Sequence, residues 1–586
     1  MEHVLFGWTG KILRLDLTSG AATTLTPAPA VYRTFMGGRG LAGHFLRPYA
    51  TLAWDDPDLP LIFMAGPLTG TIAPTSGRMT AMSISPLTGT AFDSSVGGKL
   101  GTMLKRAGWD GLMLTGRATE LSGLRITDQA ATLESATAMA RASALAVMDF
   151  LALDKEASVA AVGPAAETGS PLASILVDRH HAVGRGGLGL VMAAKNLKYL
   201  TVRGSGHVPV KDKKALMSAR EDIFRLTAAS PALLGEHGFS CYGTGALYDL
   251  ISSRRMMPTA NFRHTHFSEA AHLNAAKFKE RYQPHKAGCK GCHVLCKKVS
   301  DQGVPMPEFE TMSHFSALVE NHDLDTVVAA NMLCNEMGLD TISAASTLAC
   351  HAEITGRVLA PTEILSLLTD MGLGHGPGAE LAQGSRRYAT AHGRPELSMS
   401  VKGLELPAYD PRGVYGMALA YAVSTRGGCH LRAYPVSHEI LRKPVSTDRF
   451  SFSGKARIIK IAEDAAATVD SLTACKFLFF AASLEEYAKA YTAVTGEQSS
   501  AQDLLATGER ICLAERLLNA ERGFTAADDD LPPRFFAEAG SSGNNITVQA
   551  LDRAEFLKAR AAYYRVRGLD EEGRPTAAAL KKAGLE

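Results

Sequence analysis

Three cysteines fall within eight residues, Cys289-Lys290-Gly291-Cys292-His293-Val294-Leu295-Cys296, and this C-x2-C-x3-C run constrains the fold more than any other feature of the chain. Thiolates so close together can converge on one inorganic centre when a small residue such as Gly291 lets the loop curl. A [4Fe–4S] cluster takes four thiolates, so a fourth must arrive from a distant segment. Zinc is the alternative, because a four-coordinate ion also accepts Cys3His and His293 lies inside the run. Structural zinc ligands usually come as two short-spaced pairs, however, and no second C-x2-C exists. The other cysteines are Cys241, Cys334, Cys350, Cys429, Cys475 and Cys512. Most read as ordinary buried residues, since unpaired Cys is among the most buried types. Cys475, 179 positions after Cys296 and preceded by Asp470-Ser471-Leu472-Thr473-Ala474, is the preferred fourth ligand, although spacing alone does not single it out.

Nine cysteines in 586 residues are too sparse for a secreted disulfide scaffold, and an odd count leaves at least one unpaired. Lys plus Arg number 61 against 59 Asp plus Glu, so no large single-sign field exists to attract nucleic acid or an anionic membrane. No apolar run approaches a membrane-spanning length, and the start Met1-Glu2-His3-Val4-Leu5 lacks a charged n-region followed by an apolar h-region. The expectation is a soluble cytoplasmic protein with neither nucleic acid nor membrane as partner.

A chain this long divides into several cores. In the first part Leu13, Leu15 and Leu17 alternate with Arg14 and Asp16. Short apolar runs follow at Leu61 to Ala65, Met79 to Ile84, Gly111 to Thr115 and Ser158 to Val162, each bounded by Gly, Pro or Ser. Later stretches, Lys214 to Leu226, Thr326 to Met337 and Arg510 to Arg522, show helical spacing, the last with Ile511, Ala514, Leu517 and Leu518 on one face. The reading is an α+β chain: a β-rich domain over 1–208, a helical domain over 209–400 carrying the three-cysteine run, and a helical domain over 401–586 carrying Cys475. The joint near 400 rests on Gly403 and Pro407 alone.

Several long motifs in order give the chain a resemblance to the aldehyde:ferredoxin oxidoreductase family, tungsten or molybdenum enzymes that carry a bis-pyranopterin beside a [4Fe–4S] cluster. They are Gly7-Trp8-Thr9-Gly10-Lys11, Ala65-Gly66-Pro67-Leu68-Thr69-Gly70, Pro74-Thr75-Ser76-Gly77-Arg78, Gly184-Arg185-Gly186-Gly187-Leu188-Gly189, Lys195-Asn196-Leu197-Lys198, Leu404 to Gly413, and Arg426-Gly427-Gly428-Cys429-His430. The resemblance implies that a D-x-x-G-L-C motif supplies the fourth cluster thiolate, and Asp470 and Cys475 match its ends. It implies that Arg78 sits between cluster and pterin. By the same likeness Ser95, Gly97, Ala182, Gly184, Arg185 and Arg426 contact the cofactor or a Mg2+ bridging its phosphates. A second pterin motif, D-x-x-G-L-D, becomes Asn335-Glu336-Met337-Gly338-Leu339-Asp340 here, implying roles for Asn335, Leu339 and Asp340, with Asp470 in the first loop. Read without the family, Gly338 is a helix C-cap and Arg185 a donor fork suited to phosphate.

This sequence departs from the pattern at Ser95, where the family has Asn, at Asn335 for Asp, and at Thr473-Ala474 for Gly-Leu. Archaeal members carry an E-x-x-H pair that binds a metal shared by two subunits; the matching positions are Ala329 and Met332, neither of which ligates a hard cation. Any homodimer is therefore expected without that interface metal.

Glu310 and His430 match the family's two active-site residues. The implied reaction is oxidation of an aldehyde to a carboxylic acid, His430 polarising the carbonyl and Glu310 taking a proton, with electrons passing to ferredoxin or an iron–sulfur partner subunit. Two other readings stand beside it: reduction of an aromatic acyl thioester, for which His264 and His266 are candidate substrate-facing residues, and a non-catalytic iron–sulfur electron-transfer subunit.

Overall fold

The computed structural model describes residues 5–152 and 154–586; Met1–Val4, on which most of the no-leader expectation rests, lie outside them. Two six-stranded sheets fill the first part. The first runs Ala22–Leu25, Ile12–Asp16, Gly111–Thr115, Leu61–Met64, Met79–Ile84 and Ala91–Val96. The second runs His181–Val183, Ile175–Val177, Ala157–Val162, Leu197–Arg203, Ser122–Ile126 and Ala131–Ser135. Every residue of Leu61–Met64, Met79–Ile84 and Gly111–Thr115 is buried. That is why those strands read as continuous apolar runs, as strands covered on both faces do. The edge strands Ala91–Val96 and His181–Val183 lie against each other, so the two sheets meet edge to edge.

Beyond Arg203 the chain is mainly helical, and the expected helices form as Lys213–Ala228, Leu324–Met337 and Ala501–Glu521. Caps set their starts: Asp212 accepts from the Ala215 N–H, Asp323 from Thr326 and Ser500 from Asp503, each satisfying an orphan donor of the first turn. The helix Ala501–Glu521 differs from the single-faced reading. It buries Cys512, Glu515, Arg516 and Asn519 as well as its apolar residues, because its charged side is paired inside the protein.

The short helix Gly38–Leu46 joins the two halves, touching strands Leu61–Met64 and Met79–Ile84 on one side and helices Lys455–Leu472 and Ala501–Glu521 on the other. Its approach depends on Gly38, at φ 37°, where a Cβ would lie 2.2 Å from the Asp470 carbonyl oxygen. The two long helices cross at Gly508, where a Cβ would lie 2.0 Å from the Asp464 carbonyl oxygen. Gly508→Val should force them apart at a cost of about 1–3 kcal/mol. A lowered thermal midpoint in calorimetry is the expected result; an unchanged midpoint would show that the crossing tolerates a side chain.

Candidate active site

The three-cysteine run sits in the loop between the paired strands His285–Ala287 and Lys297–Val299. This loop is pressed onto the edge of the first sheet. Lys290 donates its N–H to the Gly98 carbonyl at 3.4 Å, and a Cβ on Gly97 would fall 2.5 Å from Cys289 Sγ. Cys475 arrives from the helix Lys455–Leu472 after Thr473, which takes a left-handed conformation at φ 55°. Thr473 stands where the family has glycine. Its Oγ1 accepts from the Gly66 N–H at 3.0 Å and packs on Thr69 Oγ1, offsetting a conformation a β-branched residue rarely adopts.

All four thiols are unpaired, and they lie within reach of one another's charge. Burial pushes Cys475 up to about 11, Arg78 opposes the shift, and Cys289 and Cys292 add to it. Cys296 is likewise raised by burial, with Cys475 among the anions adding to it. Burial alone would lower Arg78, but Cys475, Cys289, Cys296 and Asp470 hold it above its ordinary value. Cys475 is therefore near enough to the run and to Arg78 for their charges to act on one another. Among the described residues no three His, Cys, Asp or Glu side chains converge on a single-ion position. His293 packs against Phe224 with ring centroids 4.3 Å apart and the rings tilted at 55°, and neither ring nitrogen has a protein partner. Cys289, Cys292, Cys296 and Cys475 are the candidate donor set.

Arg78 donates from Nε to Ser95 Oγ at 2.9 Å and from Nη2 to the Ser95 carbonyl at 2.8 Å, so the residue that replaces Asn still fixes the guanidinium. Next to it lies a buried charge network absent from the sequence reading. Arg39 forks onto Glu515 at 2.6 and 2.7 Å, and Thr425 Oγ1 donates to the same carboxylate at 2.8 Å. Arg432 binds the Asp93 carboxylate and Arg426 the Asp93 carbonyl. Asp470 pairs with Lys476 at 2.7 Å and lies 3.5 Å from Arg39. Burial works against ionised Asp93, but Arg432, Arg39 and Arg426 hold it well below the carboxylate range. Arg432 Nε and Nη1 are nevertheless buried without an acceptor, and Arg39 Nη1 has only the Asp470 carboxylate at 3.5 Å. Orphaned guanidinium donors are costly unless an anion meets them, and these are what a cradle for phosphates presents.

Cys429, read from sequence as an ordinary buried thiol, is part of this network. Its sulfur accepts from Arg426 Nε at 3.2 Å, Arg426 Nη2 at 2.9 Å and the Leu431 N–H at 3.2 Å. Burial raises its pKa, but Arg426 and Arg432 more than reverse that and bring it down to about 7.

On the other side, Arg185 donates to Asp340 Oδ2 at 3.2 Å, the Gly428 carbonyl at 2.8 Å and the Glu405 carbonyl at 2.7 Å, tying three motifs together. Asp340 caps the helix Thr341–Thr355, Leu339 is buried, and Gly338 ends the helix Leu324–Met337 at φ 73°. Ala182 pairs with Leu176 on the edge strand next to Gly184 and is exposed there. Asn335 is half-buried on the last turn of its helix, with no side-chain hydrogen bond among the described residues.

Glu310 and His430 meet. Glu310 Oε1 lies 3.6 Å from His430 Nε2, while Oε2 accepts from the Ala408 N–H at 2.8 Å. Glu310 Oε1 and His430 Nδ1 are buried without hydrogen-bond partners. Burial raises Glu310 to about 8, the Ala408 N–H and Arg185 opposing. His430 is held well below its ordinary value by burial and by the charges of Arg185, Arg426 and Lys476, so it is a neutral imidazole. Beneath them His314 Nδ1 lies 2.7 Å from the Glu310 carbonyl oxygen and Nε2 3.2 Å from that of Leu406. Tyr409 and Tyr434 form the aromatic wall, with ring centroids 5.6 and 6.4 Å from that of His430. His264 is exposed, and His266 is half-buried with an unpartnered Nδ1.

The structure thus adds Arg39, Asp93, Arg432, Glu515, His314 and the two tyrosines to the residues read from sequence. The signal available for Arg39 is its Gly37-Gly38-Arg39-Gly40 setting. Glu515 has none, since a charged residue on a long helix reads as a solvated face.

Residues 12–204 match the family described as the aldehyde ferredoxin oxidoreductase N-terminal domain, and residues 218–585 match its domains 2 and 3. The tungsten-containing aldehyde ferredoxin oxidoreductase of Pyrococcus furiosus is 34% identical over 99% of both chains, and that of Thermococcus kodakarensis 34% over 97% of this chain and 98% of its own. The aliphatic sulfonate oxidoreductase WOR-like subunit of P. furiosus is 25% identical over 99% of this chain and 97% of its own. A chain of the BamBC active-site complex of benzoyl coenzyme A reductase shares the fold, with a TM-score of 0.84 at 22% identity over 99% of this chain and 98% of that one. With both halves matched and relatives aligned from end to end, the chain is an oxidoreductase belonging to the aldehyde ferredoxin oxidoreductase family.

Proposed function

We propose that the protein oxidises an aldehyde to a carboxylic acid at a tungsten bis-pterin, with electrons leaving through a [4Fe–4S] cluster to ferredoxin or an iron–sulfur partner. The observation that carries this reading is the Glu310–His430 pair: a buried carboxyl and a neutral imidazole, 3.6 Å apart, each with an unsatisfied atom. The surroundings fit the cofactors. Cys289, Cys292, Cys296 and Cys475 would hold the cluster. Arg78, Ser95, Gly97, Ala182, Gly184, Arg185, Asn335, Leu339, Asp340, Arg426 and Asp470 would surround the pterins and a Mg2+ between their phosphates. The unpartnered nitrogens of Arg432 add to that fit. When bound, the tungsten centre supplies a two-electron acceptor and the cluster a one-electron exit. Molybdenum is the alternative metal.

The chain's own residues prepare the substrate. An N–H of His430 meets the aldehyde oxygen, and because the ring is neutral it polarises the carbonyl without surrendering a proton. The Glu310 carboxylate accepts the proton of the water that adds to the carbonyl carbon. Ala408 holds Oε2 and leaves Oε1 free for that proton. Tyr409 and Tyr434, joined at 3.1 Å through their hydroxyls, wall the site against bulk water. No helix among the described residues is long and apolar enough to cross a membrane. Ala329 and Met332 offer no ligand for an interface metal, so a homodimer would form without one.

Glu310→Gln should lower kcat with aldehyde and viologen about 10²–10⁴-fold while iron and tungsten contents stay at the parent level. Full activity in that loaded variant would remove the base from the scheme. The carboxylate form is populated above a pKa of about 8, so parent activity should climb as pH rises through that value. The limb should vanish in the Gln variant's residual rate; a parent profile flat from pH 6 to 9 would contradict the assignment.

A further inference from the structure

The chain carries a net charge of +2, yet the segment Lys277–Lys298, which holds the three-cysteine run, contains seven Lys or Arg and one Glu, a net +6. The remaining chain is thus net acidic, and its positive charge is concentrated at the thiol loop. Ion pairs account for part of it: Lys277 binds Glu280, Arg281 binds Asp325, and Lys297 binds Glu308. Lys298 is buried and donates to the Leu295 and Lys297 carbonyls. Lys279, Lys286 and Lys290 remain, all exposed and none with a carboxylate partner among the described residues. The local carboxylates are Glu280, Asp325 and Glu308, each already taken, and Asp301, 3.7 Å from His285.

Lys279 lines a depression that reaches Cys296. It is lined by Tyr242, Phe278, Lys279, Pro284, Cys296 and Lys298, with Lys279 Nζ over the Tyr242 ring at 4.8 Å. Lys286 stands opposite Lys298 on the hairpin that frames the loop, and Lys290 and Gly291 are exposed between Cys289 and Cys292. A partner seated here would sit beside Cys296, one of the three thiols of the run. Unpaired surface cations beside an opening with apolar and aromatic lining select for an acidic partner through steering and complementary charge.

We propose that the face carrying Lys279 and Lys286 is the docking surface for the electron carrier, and that the carrier is a small iron–sulfur protein with an acidic surface. This rests on the reading of the thiols as cluster ligands. Each docking event removes one electron, so one aldehyde and one water give one carboxylate, three protons and two reduced carriers.

The test uses the holoenzyme and an acidic bacterial ferredoxin as probe, with Kd read by isothermal titration without turnover, so it does not depend on which aldehyde is oxidised. Lys279→Glu with Lys286→Glu, both away from the thiols, should weaken binding roughly tenfold, and raising salt from about 50 to 300 mM should weaken the parent by a similar factor. Arg at both positions should restore the parent Kd. Viologen-linked activity should stay within about twofold of the parent in every variant. An unchanged ferredoxin Kd in the double Glu variant would overturn the proposal. So would heparin binding the parent as tightly as ferredoxin and weakening in parallel, which would mark a general polyanion site. Loss of viologen activity in the parent itself would count against the proposed reaction and leave the docking measurement standing.

Discussion

The buried network of Arg39, Asp93, Arg426, Arg432 and Glu515 is the interaction on which the site depends. Its members come from a short N-terminal helix, an edge strand, the Arg426–Arg432 loop and the long helix Ala501–Glu521. Charges this deep are costly unless each is met. The network therefore fixes how the sheets and the C-terminal helices sit against each other, and breaking one partner would leave its neighbours uncompensated. It remains incompletely satisfied, since Arg432 Nε and Nη1 lack acceptors and Arg39 Nη1 has only Asp470 at 3.5 Å. Cys429 belongs to the same balance, its sulfur placed to offset Arg426.

The same burial shifts both Glu310 and His430. Removing Glu310 from water raises its pKa to about 8, and burial, aided by the charges of Arg185, Arg426 and Lys476, holds that of His430 well below its ordinary value. Two groups with displaced pKa values, facing each other at 3.6 Å, provide one proton acceptor and one hydrogen-bond donor from a single environment. Arg185 connects this pair to the cofactor side, since it bonds both the loop before His430 and the Glu405 carbonyl next to the segment that positions Ala408.

The fold class was legible in the sequence because it rests on periodicity and punctuation. Runs such as Met79–Ile84 are strands with both faces covered, and Asp212 and Asp323 start their helices close to where spacing predicts them, whereas the helix capped by Ser500 begins well before Arg510. The three-cysteine run stands out in the sequence because its thiols are local. Choosing Cys475 as their companion required the family likeness, because a position 179 residues away leaves no local trace. The charge network was not legible at all: Asp93 sits in a strand, Glu515 on a helix and Arg39 after two glycines, and only the tertiary fold brings them together. The Thr473 substitution likewise reads as a defect in sequence and as a bonded left-handed cap in the structure.

The most direct test is the metal content per chain of anaerobically purified protein, measured together with that of Cys475→Ser. The account predicts four iron atoms and one tungsten per parent chain, with iron reduced in the variant because the remote thiol is a cluster ligand. Stoichiometric zinc in place of iron, or full iron retained in Cys475→Ser, would contradict it.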